Sequence, residues 1–338
     1  MNKRATLFMC LMGLLLLVLT FANVTWGGVA LPADEIWRAL WGSEASETAR
    51  FVVWQSRLPS ALTAILAGAA LAVAGLAMQT VFDNPLADPS ILGVTSGASL
   101  GAALATLWLD GSAVAAQFSM SGFAATSLFA LAGAGAVILV LLACSAVVTS
   151  NLTLLIVGIM MSYVVSSVVT LLSFFSTDYG VQSFVFWGLG DFSGLTPDRL
   201  ACFGLAVGAT IVPMVLMSKQ LNALLLGPGY ARSMGVAVRT VRTVVLALVG
   251  WLAAMVTAFC GPITFIGLAV PHMARLALGT ADHRKLMPAS LLVGANIALA
   301  CLLIAHLPVH GGALPINALT PVFGAPVIIY ILLRHRNL

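Results

Sequence analysis

Charge is what this chain has least of. Asp, Glu, Lys and Arg together make up 8% of its 338 residues, against about 25% in a soluble domain. The mean hydropathy is +1.08 and 61% of the residues are hydrophobic. That composition cannot cover a water-facing surface, so the chain is read as an integral membrane protein. Its apolar runs reach the roughly 20 residues that a helix needs to cross a bilayer. They do not alternate over the short strands of a β-barrel. The five cysteines, Cys10, Cys144, Cys202, Cys260 and Cys301, fall inside apolar runs with no CxxC spacing. They read as small hydrophobes, not as a metal or redox site. There is no GxxxxGK[ST] phosphate loop, no HExxH and no GxSxG, which leaves nucleotide hydrolysis and hydrolytic chemistry without residues to perform them. No acid or base stands in the middle of an apolar run, which argues against a proton-driven carrier.

What is present is a series of long helical segments. Ten spans are expected near 7–26, 58–81, 91–109, 117–148, 152–175, 199–218, 241–260, 263–278, 288–306 and 316–333. A polar amphipathic stretch, 32–56, and a short helix, 181–190, lie between them. The first span follows Lys3-Arg4 and lacks a clean small-x-small cleavage site, so it reads as a retained helix, not a signal peptide. The frequent Gly and Ala suit helices that must approach closely in lipid.

Placing the N-terminus inside the cell leaves only Arg38, Arg50, Arg57 and Arg199 of the 15 Lys and Arg residues outside. That asymmetry is the positive-inside pattern and puts both termini in the cytoplasm. A short internal echo accompanies it. Arg57 precedes one apolar run and Arg242 opens another, Gly75 lies ten residues before Pro85, and Gly261 lies ten before Pro271. The runs are five spans apart, so they point in opposite directions, as in inverted-repeat transporters.

Other features have two readings each. The inside stretch 221–238 is either a partner-docking loop or an ordinary connector. Phe184, Phe186, Trp187 and Phe192 either line an outer vestibule or form an interfacial belt. His306 and His310 are four apart, but Pro308 and Gly311-Gly312 interrupt any helix between them. They read as structural, not as a metal or haem pair.

Three blocks carry a resemblance. RLPSALTAILAGAALAVAGLAMQTVFDNPLADPSILGVTSGASLGA runs from Arg57 to Ala102, GPITFIGLAVPHMARLALGTADHRKLMPASLLVGA from Gly261 to Ala295, and LLGPGYARSMGV from Leu225 to Val236. Together and in order they resemble FecCD-type permeases. These are the membrane subunits of binding-protein-dependent ABC importers for iron–siderophore chelates, haem and vitamin B12. The resemblance implies an all-α polytopic fold like that of the vitamin B12 importer permeases, with inverted-repeat character. The chain would form one permease domain over 1–338, its related halves at about 57–175 and 241–334. It implies a homodimer with the path at its interface, two ATPase subunits and a periplasmic or lipid-anchored binding protein. The setting is the bacterial inner membrane, with no nucleic acid involved. The chain itself is then not an enzyme and holds no cofactor; ATP and Mg belong to the partner ATPase. Iron–siderophore or haem ranks first as cargo and vitamin B12 second. The alternative is a self-sufficient secondary transporter with inverted repeats.

The resemblance also assigns residues. Asn84 and Leu86 of NPLADP, and Thr149, Ser150 and Asn151 of TSNLT, would form the inner gates. Ser162, Ser166 and Thr170 would line the path, although the same hydroxyls suit helix packing. Gly227, Ala231, Arg232 and Gly235 would couple to the ATPase, and Arg57 would meet the binding protein. Two departures stand out. The family's RLPR is RLPS here, with Ser60 in the fourth place. Its Glu-Leu-Pro at the last span is Ala313-Leu314-Pro315, followed by Ile316-Asn317.

Overall fold

The computed structural model describes residues 3–42, 45–109, 122–148, 150–307 and 313–335. Thr149, Pro308 and His310 lie outside them. The described residues form helices and connectors, with no strand among them. The helices are α1 (Lys3–Thr25), α2 (Ala33–Trp41), α3 (Glu47–Val81), α4 (Val94–Trp108), α5 (Gly122–Val147), α6 (Asn151–Phe175) and α7 (Asp178–Gly188). They continue with α8 (Pro197–Leu216), α9 (Ser218–Leu224), α10 (Pro228–Ser233), α11 (Val238–Cys260), α12 (Ile266–Leu278), α13 (His283–Ala305) and α14 (Ile316–His335). Seven are long and apolar enough to cross a bilayer: α1, α3, α5, α6, α8, α11 and α13. The apolar helices α4, α12 and α14 are shorter. These ten match the expected segments.

α3 is longer than expected and begins at Glu47 rather than near residue 58. Pro59 reads in the sequence as a helix start, because proline lacks an N–H and crowds the preceding turn. Here the helix passes through. Residues Val52–Arg57 form a π-helical stretch, in which the Leu58 N–H donates to the Val53 carbonyl. A π-bulge of this kind relieves the proline without breaking the helix.

From Leu58 onward α3 is the centre of the molecule. It packs against α13, α11, α12 and α8, and almost every residue from Ser60 to Val81 is buried. The reason is side-chain size. A Cβ placed on Gly68 would strike the carbonyl oxygen of Gly294 in α13, and one on Gly294 would strike that of Gly68. Gly75 meets the backbone of Gly267 in α12 in the same way. Helices this close gain dispersion contacts along their whole length, the main attraction available within lipid. α1 is the outermost span and is tied in by amide hydrogen bonds. Asn23 Nδ2 donates to the Leu299 carbonyl at 3.1 Å, and Asn296 Nδ2 to the Met12 carbonyl at 3.0 Å. α6 packs against α4 and leaves a long face exposed.

Candidate functional site: the two ends of the helix bundle

The charged side chains of the described bundle collect toward its two ends. One end holds the connector after α3, the segment between α8 and α11, and the α12–α13 turn. α3 stops at Val81, and Asp83 adopts a left-handed φ of 47°. Asn84 then makes a local turn, its Oδ1 accepting from the Leu86 N–H at 2.9 Å. This is the usual habit of asparagine in turns. His272 of α12 places Nε2 2.7 Å from the Pro85 carbonyl and pins the turn from above. Asp88 is buried and its Oδ1 accepts from the Ser90 N–H at 2.9 Å and the Ser90 hydroxyl at 2.6 Å. Burial pushes its carboxyl above the ordinary range, and the two bonds from Ser90 oppose that rise. Asp88 caps the 3₁₀ turn Pro89–Leu92, and Gly93 at φ 79° hands the chain to α4. The prolines of NPLADP therefore end one helix and set the start of the next. Leu86 is 40% exposed at the tip, while the Asn84 amide oxygen is committed to the turn.

The neighbouring connector leads into α6. Ser150 caps that helix, its Oγ accepting from the Thr153 N–H at 3.3 Å, and Asn151 is the first helical residue. Ser162 is half-buried on the side of α6 facing Gly93, where a Cβ would lie 3.2 Å from its Oγ. Ser166 and Thr170 lie on the exposed face with Tyr163, Leu171 and Phe174. The hydroxyls of Ser162 and Thr170 bond to carbonyls one turn back, at 3.0 and 2.8 Å. Their polarity is thus largely satisfied within the helix. α6 offers a smooth, uncharged face.

The segment between α8 and α11 folds as α9, a turn, and α10. Gly227 at φ 95° opens α10 and Gly235 at φ 81° closes it. Nothing lies within 4 Å of a Cβ at either position, so backbone conformation alone requires glycine there. Ala231 is fully buried and anchors the turn. Arg232 is exposed, its Nε donating to the Pro228 carbonyl at 3.2 Å. Leu226, Tyr230 and Met234 are each more than half exposed. In the sequence Arg232 and the helical spacing of Ala231, Met234 and Val238 mark this stretch, and Leu226 and Tyr230 do not stand out. Exposed apolar side chains on a short, otherwise polar turn were the available signal. A cavity of about 830 Å³ separates this segment from the ends of α3 and α5, with Asp83, Val147, Gly227, Arg232 and Arg239 among its lining. Arg239 donates across it to the Ala146 carbonyl. The expected gate and coupling residues Asn84, Leu86, Ser150, Gly227, Ala231, Arg232 and Gly235 therefore share one end of the bundle.

At the opposite end Arg57 is only 7% exposed. Its guanidinium donates to the carbonyls of Val24 and Thr25 at 2.9 Å each, and to that of Val29 at 2.5 Å. It ties the end of α1 to α3, beneath the surface rather than on it. Arg38 and Arg50 are exposed there, Arg38 paired with Asp34 at 3.2 Å. Asn317, which the sequence marks only as following the family's missing acid, has a structural role here. Its Nδ2 donates to the Pro262 carbonyl at 2.6 Å and the Gly188 carbonyl at 3.1 Å, and its Oδ1 accepts from the Thr264 N–H at 3.3 Å. One amide thus joins α7, the 261–265 loop and α14, just after the place where the family's acid is missing. Phe184 and Trp187 stack at 6.0 Å and Phe186 is exposed, but Phe192 is fully buried in the core. Phe192 is therefore not a vestibule residue: it follows the turn at Gly190 and points inward. His306 caps the end of α13. No cluster of metal-ligating side chains occurs among the described residues.

Comparison with known proteins agrees with this geometry. The profile of the FecCD transport family matches residues 15–334. The vitamin B12 import system permease protein BtuC of Serratia proteamaculans is 36% identical over 324 residues, spanning 96% of this chain and 93% of that protein. BtuC of Escherichia coli O127:H6 is 36% identical over 326 residues, covering 96% and 94%. A solved structure, assigned to a metal-chelate type ABC transporter in an inward-facing conformation, superposes with a TM-score of 0.83 at 29% identity, covering 96% and 98% of the two chains. The chain is a multi-pass membrane protein of the permease type, and it belongs to the FecCD transport family.

Proposed function

We propose that this chain is the translocation subunit of an ABC importer for a metal chelate, working as a homodimer. The observation that carries the reading is α10. It is an exposed turn with an apolar face, set between two glycines and packed by Ala231 at the same end as the NPLADP connector. Such a turn suits docking on a separate ATPase, which would hold the ATP and Mg. The relatives named as vitamin B12 permeases support a corrinoid cargo at least as well as the iron–siderophore or haem cargo that the family as a whole suggests.

In this reading the α9–α10 end is cytoplasmic, as are both termini. The halves 57–175 and 241–334 are related repeats. A loaded binding protein docks at the Arg57 end, with Arg50 on the surface and Arg57 holding the α1–α3 junction beneath it. ATP binding moves the Gly227–Gly235 segment, and the spans alternate access between the outer end and the gates at Asn84, Leu86 and 149–151. α6 borders the path, with Ser166 and Thr170 on its exposed face and Ser162 half-buried toward Gly93. The Ser162 and Thr170 hydroxyls, bonded within the helix, let a bulky solute slide without binding tightly.

The test is purification of the tagged chain from native membranes in mild detergent. The expected result is an ATPase with a Walker A motif at about one copy per chain, whose hydrolysis rises with loaded binding protein. Uptake assays with a corrinoid and with a ferric chelate then separate the cargo classes. A preparation free of ATPase even after gentle cross-linking overturns the reading and favours the secondary carrier.

A further inference from the structure

A buried polar junction ties α9 to the end of α3 and is used by none of the contacts described so far. His283, the first residue of α13, is fully buried. Its Nε2 lies 2.7 Å from Thr80 Oγ1, one residue before α3 ends, and its Nδ1 lies 2.8 Å from Asn222 Oδ1 in α9. The same Asn222 oxygen accepts from the His283 backbone N–H at 2.8 Å, and Asn222 Nδ2 donates to Asp282 Oδ1 at 2.7 Å. An amide oxygen only accepts, so Nδ1 carries the proton and donates to it. Nε2 then faces the Thr80 hydroxyl, which also lies 3.0 Å from the Leu76 carbonyl.

We infer that Asn222, His283 and Thr80 form a positioning link that carries displacement of the α9–α10 segment to the connector after α3. This rests on the coupling reading above and extends it to residues that the resemblance did not assign. The geometry favours a mechanical role. Asn222 grips the start of α13 through three contacts, so α9 cannot slide along α13 without breaking them. The imidazole is rigid and spans from α9 to α3 with a bond at each end. Thr80 is followed within four residues by Asn84. Buried bonds of this kind are costly to leave unmade, so a moving α9 takes the end of α3 with it rather than separating from it. On the other side of the connector His272 holds Pro85, which fixes where the displacement is delivered.

The experiment uses the full complex in proteoliposomes, with ATPase and binding protein present. Thr80→Val keeps the shape and removes the hydroxyl; Thr80→Ser keeps the hydroxyl. Asn222→Leu removes both amide partners at nearly constant volume. The readouts are ATPase copies per chain, basal hydrolysis and cargo moved per ATP. Thr80→Val is expected to keep the ATPase bound and hydrolysing, and in both Thr80→Val and Asn222→Leu cargo per ATP falls about tenfold, the scale of one lost hydrogen bond. Thr80→Ser is expected to stay within about twofold of the parent, its hydroxyl bond being kept. Unchanged cargo per ATP in both Thr80→Val and Asn222→Leu overturns the link. So does an equal fall in Leu299→Ala, a core variant that lowers stability without touching the junction. Failure of the coupling reading is seen separately: the parent chain would carry no ATPase at all, or Arg232→Glu and Gly235→Val would couple normally.

Discussion

Arg275 of α12 places Nη1 2.7 Å from Gln79 Oε1 of α3, while Gln79 Nε2 donates back to the Leu268 carbonyl of α12 at 3.1 Å. One amide is thus held at both atoms by the neighbouring helix. Replacing it with an apolar residue of similar size leaves the guanidinium without that acceptor at a half-buried site. Gln79→Leu is expected to cost about 2 kcal/mol, the range for bonds to charged groups. It should appear as a lower thermal midpoint in detergent. The double variant Gln79→Leu/Arg275→Met should recover part of the loss. Equal midpoints for parent and single variant would show the pair to be idle.

Two glycines of similar sequence surroundings should behave in opposite ways. Gly75→Ala drives a methyl into the Gly267 backbone, and no flexible side chain is there to yield. A cost of about 3 kcal/mol is expected, at the upper end for overpacking. Gly135→Ala in α5 meets nothing within 4 Å. It should be neutral, or gain up to about 1 kcal/mol of helix propensity. Detergent-resistant folding of the two variants, compared by size-exclusion profile after heating, separates them.

Arg57 and Arg50 are expected to fail differently. Arg57→Met removes two donations to the end of α1 and one to the connector after it, so protease added from outside should cut between residues 26 and 32 several-fold faster. Arg57→Lys should not rescue, since a compact ammonium does not reproduce the planar fork of guanidinium. Arg50→Glu should leave the cutting rate alone and weaken association with the binding protein. Faster cleavage in Arg50→Glu, or none in Arg57→Met, would reverse these roles.

The α12–α13 turn carries a pH signature. Burial alone would raise the Asp282 carboxyl, but the bonds from Asn222 and the Arg284 N–H, with the nearby Lys285 and Arg284 charges, outweigh it and hold the group below its usual range. A folded-state pKa below the unfolded value near 3.9 stabilises the fold above that pH. The benefit is lost as pH falls through the lower, folded-state value. Asp282→Asn should therefore lower the thermal midpoint at pH 7, and the gap to the parent should close below about pH 4. A gap that persists unchanged into acid would mean the carboxylate charge is not what stabilises the turn.

Much of the fold was legible in the chain. Ten apolar runs of helical length, separated by breakers and by nearly all of the chain's few charges, leave few other arrangements in a bilayer. NPLADP was readable as a turn because Asn and Pro restrict the backbone locally. Arg57 was legible as a residue but not as a role. The resemblance implied a surface contact for it, and the Pro59 beside it suggested a helix start. The π-helical turn and the carbonyls of Val24, Thr25 and Val29 arrive from elsewhere in the chain, and no local pattern announces them. Phe192 was misplaced for a similar reason: an aromatic cluster shows which residues are near in sequence, but the turn at Gly190 decides which face the core.

The sequence by itself determined that this protein lives in a membrane, that it is built of helices, and to which family it belongs. Those follow from composition, run length and ordered motifs, all of which are local. Only the tertiary structure decided that Gly75 meets Gly267, that Asn317 joins three elements, and that Asn222, His283 and Thr80 touch. Each is a contact between residues more than 50 positions apart. Hydrogen bonding and close packing act through space, so such partners become visible only once the helices are placed side by side.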